Sequence, residues 1–234
     1  MKRRAIIYTA LVLLLAATGW FVKRQLYADA WTIEERLAQF GPTSRARLQT
    51  WFAQAGLTYP PAQLMFVGLK AERLLQIYAP ASDGRWRFVH ACAILGASGV
   101  AGPKLREGDF QVPEGIYAID LLNPNSRYQI SMQVSYPNTF DREHAAAEGR
   151  RELGGEIMIH GGHTSAGCLA VGDEASADLF VLAADTGLSN ITVVLAPVDF
   201  RAGKSVTNAM PAWTPALYDQ IKMRLTELPL PPNN

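Results

Sequence analysis

Apolar positions change their spacing along the chain, and each change predicts a different kind of element. From Ala5 to Val22 the sequence is almost unbroken in its apolarity, with Lys2, Arg3 and Arg4 ahead of the run and Lys23 and Arg24 behind it. About 18 such residues reach the lower range for crossing a bilayer and exceed the roughly 7–15 of a typical signal-peptide core. Trp20, Tyr27 and Trp31 suit an interfacial level. A small-x-small site at Ala28-Asp29-Ala30 keeps a cleavable signal open, while Lys23-Arg24 favours an uncleaved anchor. Residues 1–27 are therefore read as an N-terminal transmembrane or signal helix, and both readings export the rest of the chain.

After that run the period becomes helical. Ile33, Leu37 and Phe40 share one face of a helix that begins near Asp29 and is expected to end at Gly41-Pro42. A second pattern covers Thr43 to Ala55, with Thr43 or Ser44 as cap and Gly56 as stop. The pair predicts a helical stalk over 28–61, with Tyr59-Pro60-Pro61 as linker.

From Gln63 the pattern is that of strands. Gln63–Lys70, Arg73–Ala79, Arg85–Leu95, Gly115–Leu122, Tyr128–Ser135 and Glu156–His160 are separated by turn-forming stretches such as Pro80–Gly84 and Asn123-Pro124-Asn125. Asp173 is expected to cap a helix over Glu174–Asp185 that Gly187 closes. Ile191–Leu195 predicts a buried strand, and Trp213–Leu228 a final amphipathic helix before a solvated tail. The sum is a mostly β, mostly antiparallel domain over 62–200 with flanking helices, then a C-terminal helix and tail over 201–234.

Composition adds little to this picture but excludes some classes. A formal net charge of +1 and the lack of a basic, aromatic-laced run beyond the first residues argue against nucleic acid. An apolar fraction of 49% is too high for a disordered chain. The two cysteines, Cys92 and Cys168, would form one disulfide on the simplest reading of an exported chain.

Chemistry-bearing residues concentrate between Ile159 and Ala170. A strand delivers His160 to the loop Gly161-Gly162-His163-Thr164-Ser165-Ala166-Gly167, which returns to Cys168. A nucleophilic thiol needs a base to take its proton, and an imidazole eight residues away across a glycine-rich loop can fold back to reach it. Gly167 lets the backbone approach a substrate carbonyl, and N–H groups around Cys168 would form an oxyanion hole. Other readings stand beside this one. Cys168 and His160 are also what a core thiol and a structural histidine look like, and His160, His163 and Cys168 with His144 or Asp173 would be an irregular zinc set. His90 and Cys92 share one strand face, where core packing is the simpler account.

The His-Gly and Ser-x-Gly-Cys pattern resembles the active-site signature of the L,D-transpeptidase (YkuD-type) family. The resemblance extends to Gly102-Pro103-Lys104, Glu107-Gly108-Asp109 and Val112-Pro113-Glu114-Gly115-Ile116-Tyr117, and then to Tyr136-Pro137-Asn138 with Phe140-Asp141-Arg142 and His144. It covers about Gln63 to Leu195. It implies a β-sandwich-like catalytic domain in which Cys168 is acylated, His160 is the general base, the Gly161 carbonyl orients the imidazole, and Ser165 shapes the loop beside Gly167. It also implies peptidoglycan stem peptides as substrate and no metal or organic cofactor; together with the N-terminal helix, the expected location is the periplasm, anchored to the inner membrane through that helix.

Departures from the usual pattern are specific. Ala166 stands where the family's second histidine is common, Ala170 where Arg or Asn often occurs, and the spacing from His160 to Cys168 is short. These resemble the YafK-like branch, which is associated with cutting the link between peptidoglycan and its attached lipoprotein. A hydrolase of the same fold and a non-catalytic peptidoglycan-binding protein are therefore the alternatives to transpeptidation, and an envelope lipoprotein is a further expected partner. Lys104, Arg106, Arg127 and Arg142 lie in or near the motifs, and Lys104 with Arg142 is the expected pair for stem-peptide carboxylates.

Overall fold

The computed structural model describes residues 30–207 and 210–232. The expected N-terminal membrane or signal helix lies outside these residues, and no helix among the described residues is long and apolar enough to cross a membrane. Among the described residues, nine strands form two sheets. The first has the order β3-β2-β1-β9-β4, from β1 (Leu64–Leu69), β2 (Leu74–Pro80), β3 (Trp86–Ala93), β4 (Gly115–Tyr117) and β9 (Ile191–Ala196). The second has the order β5-β6-β7-β8, from β5 (Ile119–Ser126), β6 (Gln129–Val134), β7 (Met158–His160) and β8 (Leu169–Ala170).

The continuous apolar run of β1 has a direct structural reason. Every one of its residues is buried, and the pleat sends alternate side chains to opposite sides. Leu64 and Phe66 join the larger core, while Met65, Val67 and Leu69 join a smaller one. The smaller core is covered by α4 (Thr214–Thr226), whose Leu217, Ile221 and Leu225 recur every four residues on the buried face. The larger core lies among both sheets, α1 (Ile33–Gln54) and α3 (Asp173–Thr186).

Several expectations are corrected. The pairings are mostly antiparallel, as expected, but the sheets are mixed, because β1 pairs with β9 and β7 with β8 in parallel. Helices hold more residues than strands, so mostly β becomes mixed sheets plus helices. Gly115–Leu122 is two strands that change sheets at Ala118, and the hairpin turn falls at Arg127-Tyr128, not at Asn123-Pro124-Asn125.

The expected pair of stalk helices is one helix, α1, running through Pro42. A proline in this position releases the carbonyl four residues back. Ala38 and Pro42 are both exposed, so water can take that carbonyl. Tertiary contacts outweigh the local break: Leu48 and Phe52 are fully buried, and Arg45 and Arg47 fork onto Asp185 and Asp178 of α3 at 2.7–2.8 Å. The helix is thus part of the same compact unit as the sheets. One helix was not anticipated. Asn138 and Asp141 form a reciprocal capping box that starts α2 (Thr139–Ala147).

Candidate active site

Strand register places the chemistry. Ser131 of β6 lies opposite His160 of β7, and Ile159 lies beside Leu169 of β8. One step back along the parallel pair sets Cys168 beside Met158, whose N–H donates to Sγ at 3.3 Å. Paired residues share a sheet face, as do residues two apart. Ser131, Met158, His160 and Cys168 therefore face the same cavity of about 400 Å³, together with Tyr128, Ser165 and Ala166.

Parallel strands ordinarily need a crossover of about a dozen residues or more. Here the short segment between β7 and β8 makes the crossover, and close backbone packing permits it. A Cβ on Gly161 would collide with Asp173 Oδ1, the atom that accepts the Gly162 N–H at 2.8 Å. A Cβ on Gly96 would sit 2.5 Å from the His163 carbonyl. Asp173 is thus the strut of this loop. Its expected capping role is not seen: the N-cap of α3 is Gly172, and no side chain caps that end.

His160 is buried, with Nδ1 at 2.7 Å from the Gly161 carbonyl. A carbonyl only accepts, so Nδ1 carries the proton and Nε2 keeps its lone pair. The Tyr128 ring stacks on the imidazole, with centroids 4.0 Å apart. Burial pushes the imidazole below its ordinary 6.5, against a smaller upward pull from the Gly161 hydrogen bond. Burial likewise pushes the Cys168 thiol above 9.0, and the Met158 N–H and the Lys104 charge oppose it only in part. The resting pair is therefore neutral thiol and neutral imidazole. The thiol donates to the Glu156 carbonyl at 3.6 Å.

Ser165 Oγ accepts the Cys168 N–H at 2.8 Å and donates to the Cys168 carbonyl at 2.6 Å, closing the loop into a tight turn. This occupies one N–H expected for the oxyanion hole. Those of Ala166 and Gly167 have no hydrogen-bond partner among the described residues, and Gly167 holds φ at +108°, where a side chain is disfavoured.

Lys104 and Arg142 are not brought to this cavity. The Lys104 ammonium is buried against Asp109 Oδ1 at 2.6 Å and the Arg106 carbonyl at 2.8 Å. Arg142 is exposed and donates to the Pro137 carbonyl. His163 is exposed, and His144 stacks on Trp213 instead. Among the described residues no group of three His, Cys, Asp or Glu side chains is placed to hold a metal. Cys92 and Cys168 are both free thiols, and His90 stacks on Trp51. Tyr128 and Ser131 also line the cavity; the position of the hairpin turn and the strand register, which periodicity does not supply, bring them there.

A family model for the YkuD L,D-transpeptidase catalytic domain matches residues 62–195, the span from β1 to β9 that includes His160 and Cys168. The chain belongs to this family. The "Putative L,D-transpeptidase YafK" of Escherichia coli (strain K12) is 35% identical over 113 residues, which are 47% of this chain and 43% of that protein. The chain thus spans less than half the length of this curated relative. Among solved structures, the helical cell shape determining protein Pgp2 of Campylobacter jejuni aligns with a TM-score of 0.47 at 22% identity, covering 64% of this chain and 55% of that one. L,D-transpeptidase 1 of Mycobacterium tuberculosis aligns with a TM-score of 0.33 at 12% identity, covering 57% and 62%.

Proposed function

We propose that this YkuD-family domain is a cysteine acyltransferase that acts on peptidoglycan stem peptides in the cell envelope. The observation that carries the reading is a free thiol and a buried, carbonyl-oriented imidazole lining one cavity. Sγ turns from the Glu156 carbonyl and attacks a substrate amide carbonyl next to a D-centre. His160 Nε2 takes the thiol proton as the C–S bond forms, and passes it to the departing amine as the C–N bond breaks. The Ala166 and Gly167 N–H groups are the available donors for the oxyanion. An incoming amine then resolves the thioester into a new amide. Water at the same step would give hydrolysis, so both outcomes share one acyl-enzyme.

The test uses the full chain as wild type and as Cys168→Ala, incubated with intact sacculi and with defined tetrapeptide muropeptides, with products read by mass spectrometry. New crosslinks or D-amino-acid exchange made by wild type alone support acyl transfer. Release of peptide or bound lipoprotein without a new bond assigns the domain to hydrolysis. Identical profiles from the two proteins overturn the catalytic reading.

A further inference from the structure

A second and larger cleft, of about 770 Å³, lies beside the loop that bears the nucleophile. Gln111 lines it, and the Gln111 carbonyl sits 3.5 Å from where a Cβ on Gly167 would stand. Arg106, Arg150 and Arg151 line it too, with Asp109 and Glu152 as its acids.

The walls are stitched together. Asp109 accepts from the N–H groups of Leu105, Arg106 and Gln111 at 2.9–3.1 Å and from Lys104 Nζ at 2.6 Å, so the 104–111 loop is folded around one carboxylate. Arg150 joins the opposite wall to this loop through the Leu105 carbonyl at 2.8 Å, and the Glu107 N–H reaches the Glu152 carbonyl at 2.9 Å.

This scaffold accounts for Asp109, Lys104 and Arg150, but not for Arg106 and Arg151. Both are exposed at the cleft, and neither guanidinium has a carboxylate partner among the described residues. Elsewhere in the molecule Arg45 and Arg47 show what such groups do when an acid is near: each grips a carboxylate with two N–H groups. Glu152 is the only acid of the cleft left outside the scaffold's ion pairs, so positive charge predominates there.

We infer that Arg106 and Arg151 clamp, in this cleft, one of the two carboxylates that flank the reacting amide, on the diaminopimelate or on the terminal D-Ala, while Cys168 works on that amide. The inference rests on the proposed function for its ligand, a stem peptide carrying several carboxylates.

Binding is measured in the full chain bearing Cys168→Ala, where no turnover intervenes. Calorimetry compares the tetrapeptide L-Ala-γ-D-Glu-diaminopimelate-D-Ala with forms amidated at the terminal D-Ala or at the diaminopimelate carboxylate. One amidation is expected to weaken binding about tenfold, the size of a lost charge-assisted contact. Adding Arg106→Ala with Arg151→Ala should abolish that difference while leaving the affinity for the amidated form unchanged. A misfolded variant would lose both forms, and the Arg106→Lys, Arg151→Lys pair, which keeps charge without the fork, should fall between. Equal binding of all three peptides, or discrimination that survives in the double alanine variant, overturns the clamp. Either result leaves the Cys168 chemistry untouched, whereas carboxylate-dependent binding without wild-type turnover would remove the enzyme reading and keep the clamp.

Discussion

The two sheets solve different problems. In the first, β1 is buried on both faces, and the ion pair just past its end is sealed as well: Lys70 Nζ meets Glu114 Oε1 at 2.9 Å, with Glu114 fully buried. Glu114 also accepts from the Gly102 N–H at 2.7 Å and, through its other oxygen, from the Tyr218 hydroxyl at 2.8 Å. It thereby ties the end of β1, the segment at Gly102 and α4 together. The second sheet buries Ile130, Met132 and Ile159 on one face and turns Ser131, Met158 and His160 to the cavity on the other. Groups that need a substrate sit on the sheet with a face to spare, and groups that need only one another sit in the closed one.

The sharpest break in this comparison is Cys168→Ala. It should lower turnover by roughly 10⁴-fold or more yet shift the melting temperature little, since the thiol bonds only to backbone at 156 and 158. Product analysis beside a thermal melt checks both halves. Glu114→Ala should do the reverse. It leaves the Lys70 ammonium buried without its charge partner, a loss of about 3–5 kcal/mol readable in urea unfolding. Gly161→Ala, at the junction of the two behaviours, should cost about 1–3 kcal/mol and also activity, because its new methyl displaces the Asp173 strut.

The acid–base state of the pair supplies a finer test. With the imidazole held below 6.5, its neutral form should persist on acidification, so kcat/KM falls only when pH drops through a value under 6.5. Linkage fixes the sign for stability: as pH falls the unfolded chain takes up this proton first, so His160 lowers stability toward acid. A pH–rate profile and denaturant midpoints read the two effects. Alkylation of Cys168 should rise with a midpoint above 9.0, and a midpoint near neutrality would indicate a preformed thiolate. The smallest effect is expected for Tyr128→Phe. It keeps the stack on His160 and removes only a long contact to the Thr164 carbonyl at 3.5 Å, so kinetics should change less than about twofold.

Legibility in the sequence divides along the same line. The β1 run, the β2 and β3 strands and the loop from His160 to Cys168 can be read because local pattern and local chemistry agree there. The failures are cases in which a distant partner decides. Gly41-Pro42 is a sound helix stop until α3 offers acids to Arg45 and Arg47. Asp173 is a sound cap until Gly162 takes its carboxylate. Lys104 is a different case: a partner only five residues away, Asp109, holds its ammonium inside the scaffold. The capping box at Asn138 and Asp141 is legible by spacing, but the same residues also fit a motif block, and that reading hides the helix they start.

The pairing of Leu64 with Ile191 in the middle of the first sheet has a further consequence. A nascent chain can form the β1–β2–β3 meander early, but it cannot close the sheet before residue 196 is available, because β9 lies between β1 and β4. Contacts of such long sequence separation slow folding and keep the partly made chain open. Until its last strand arrives, this polypeptide remains in a form that can still be threaded.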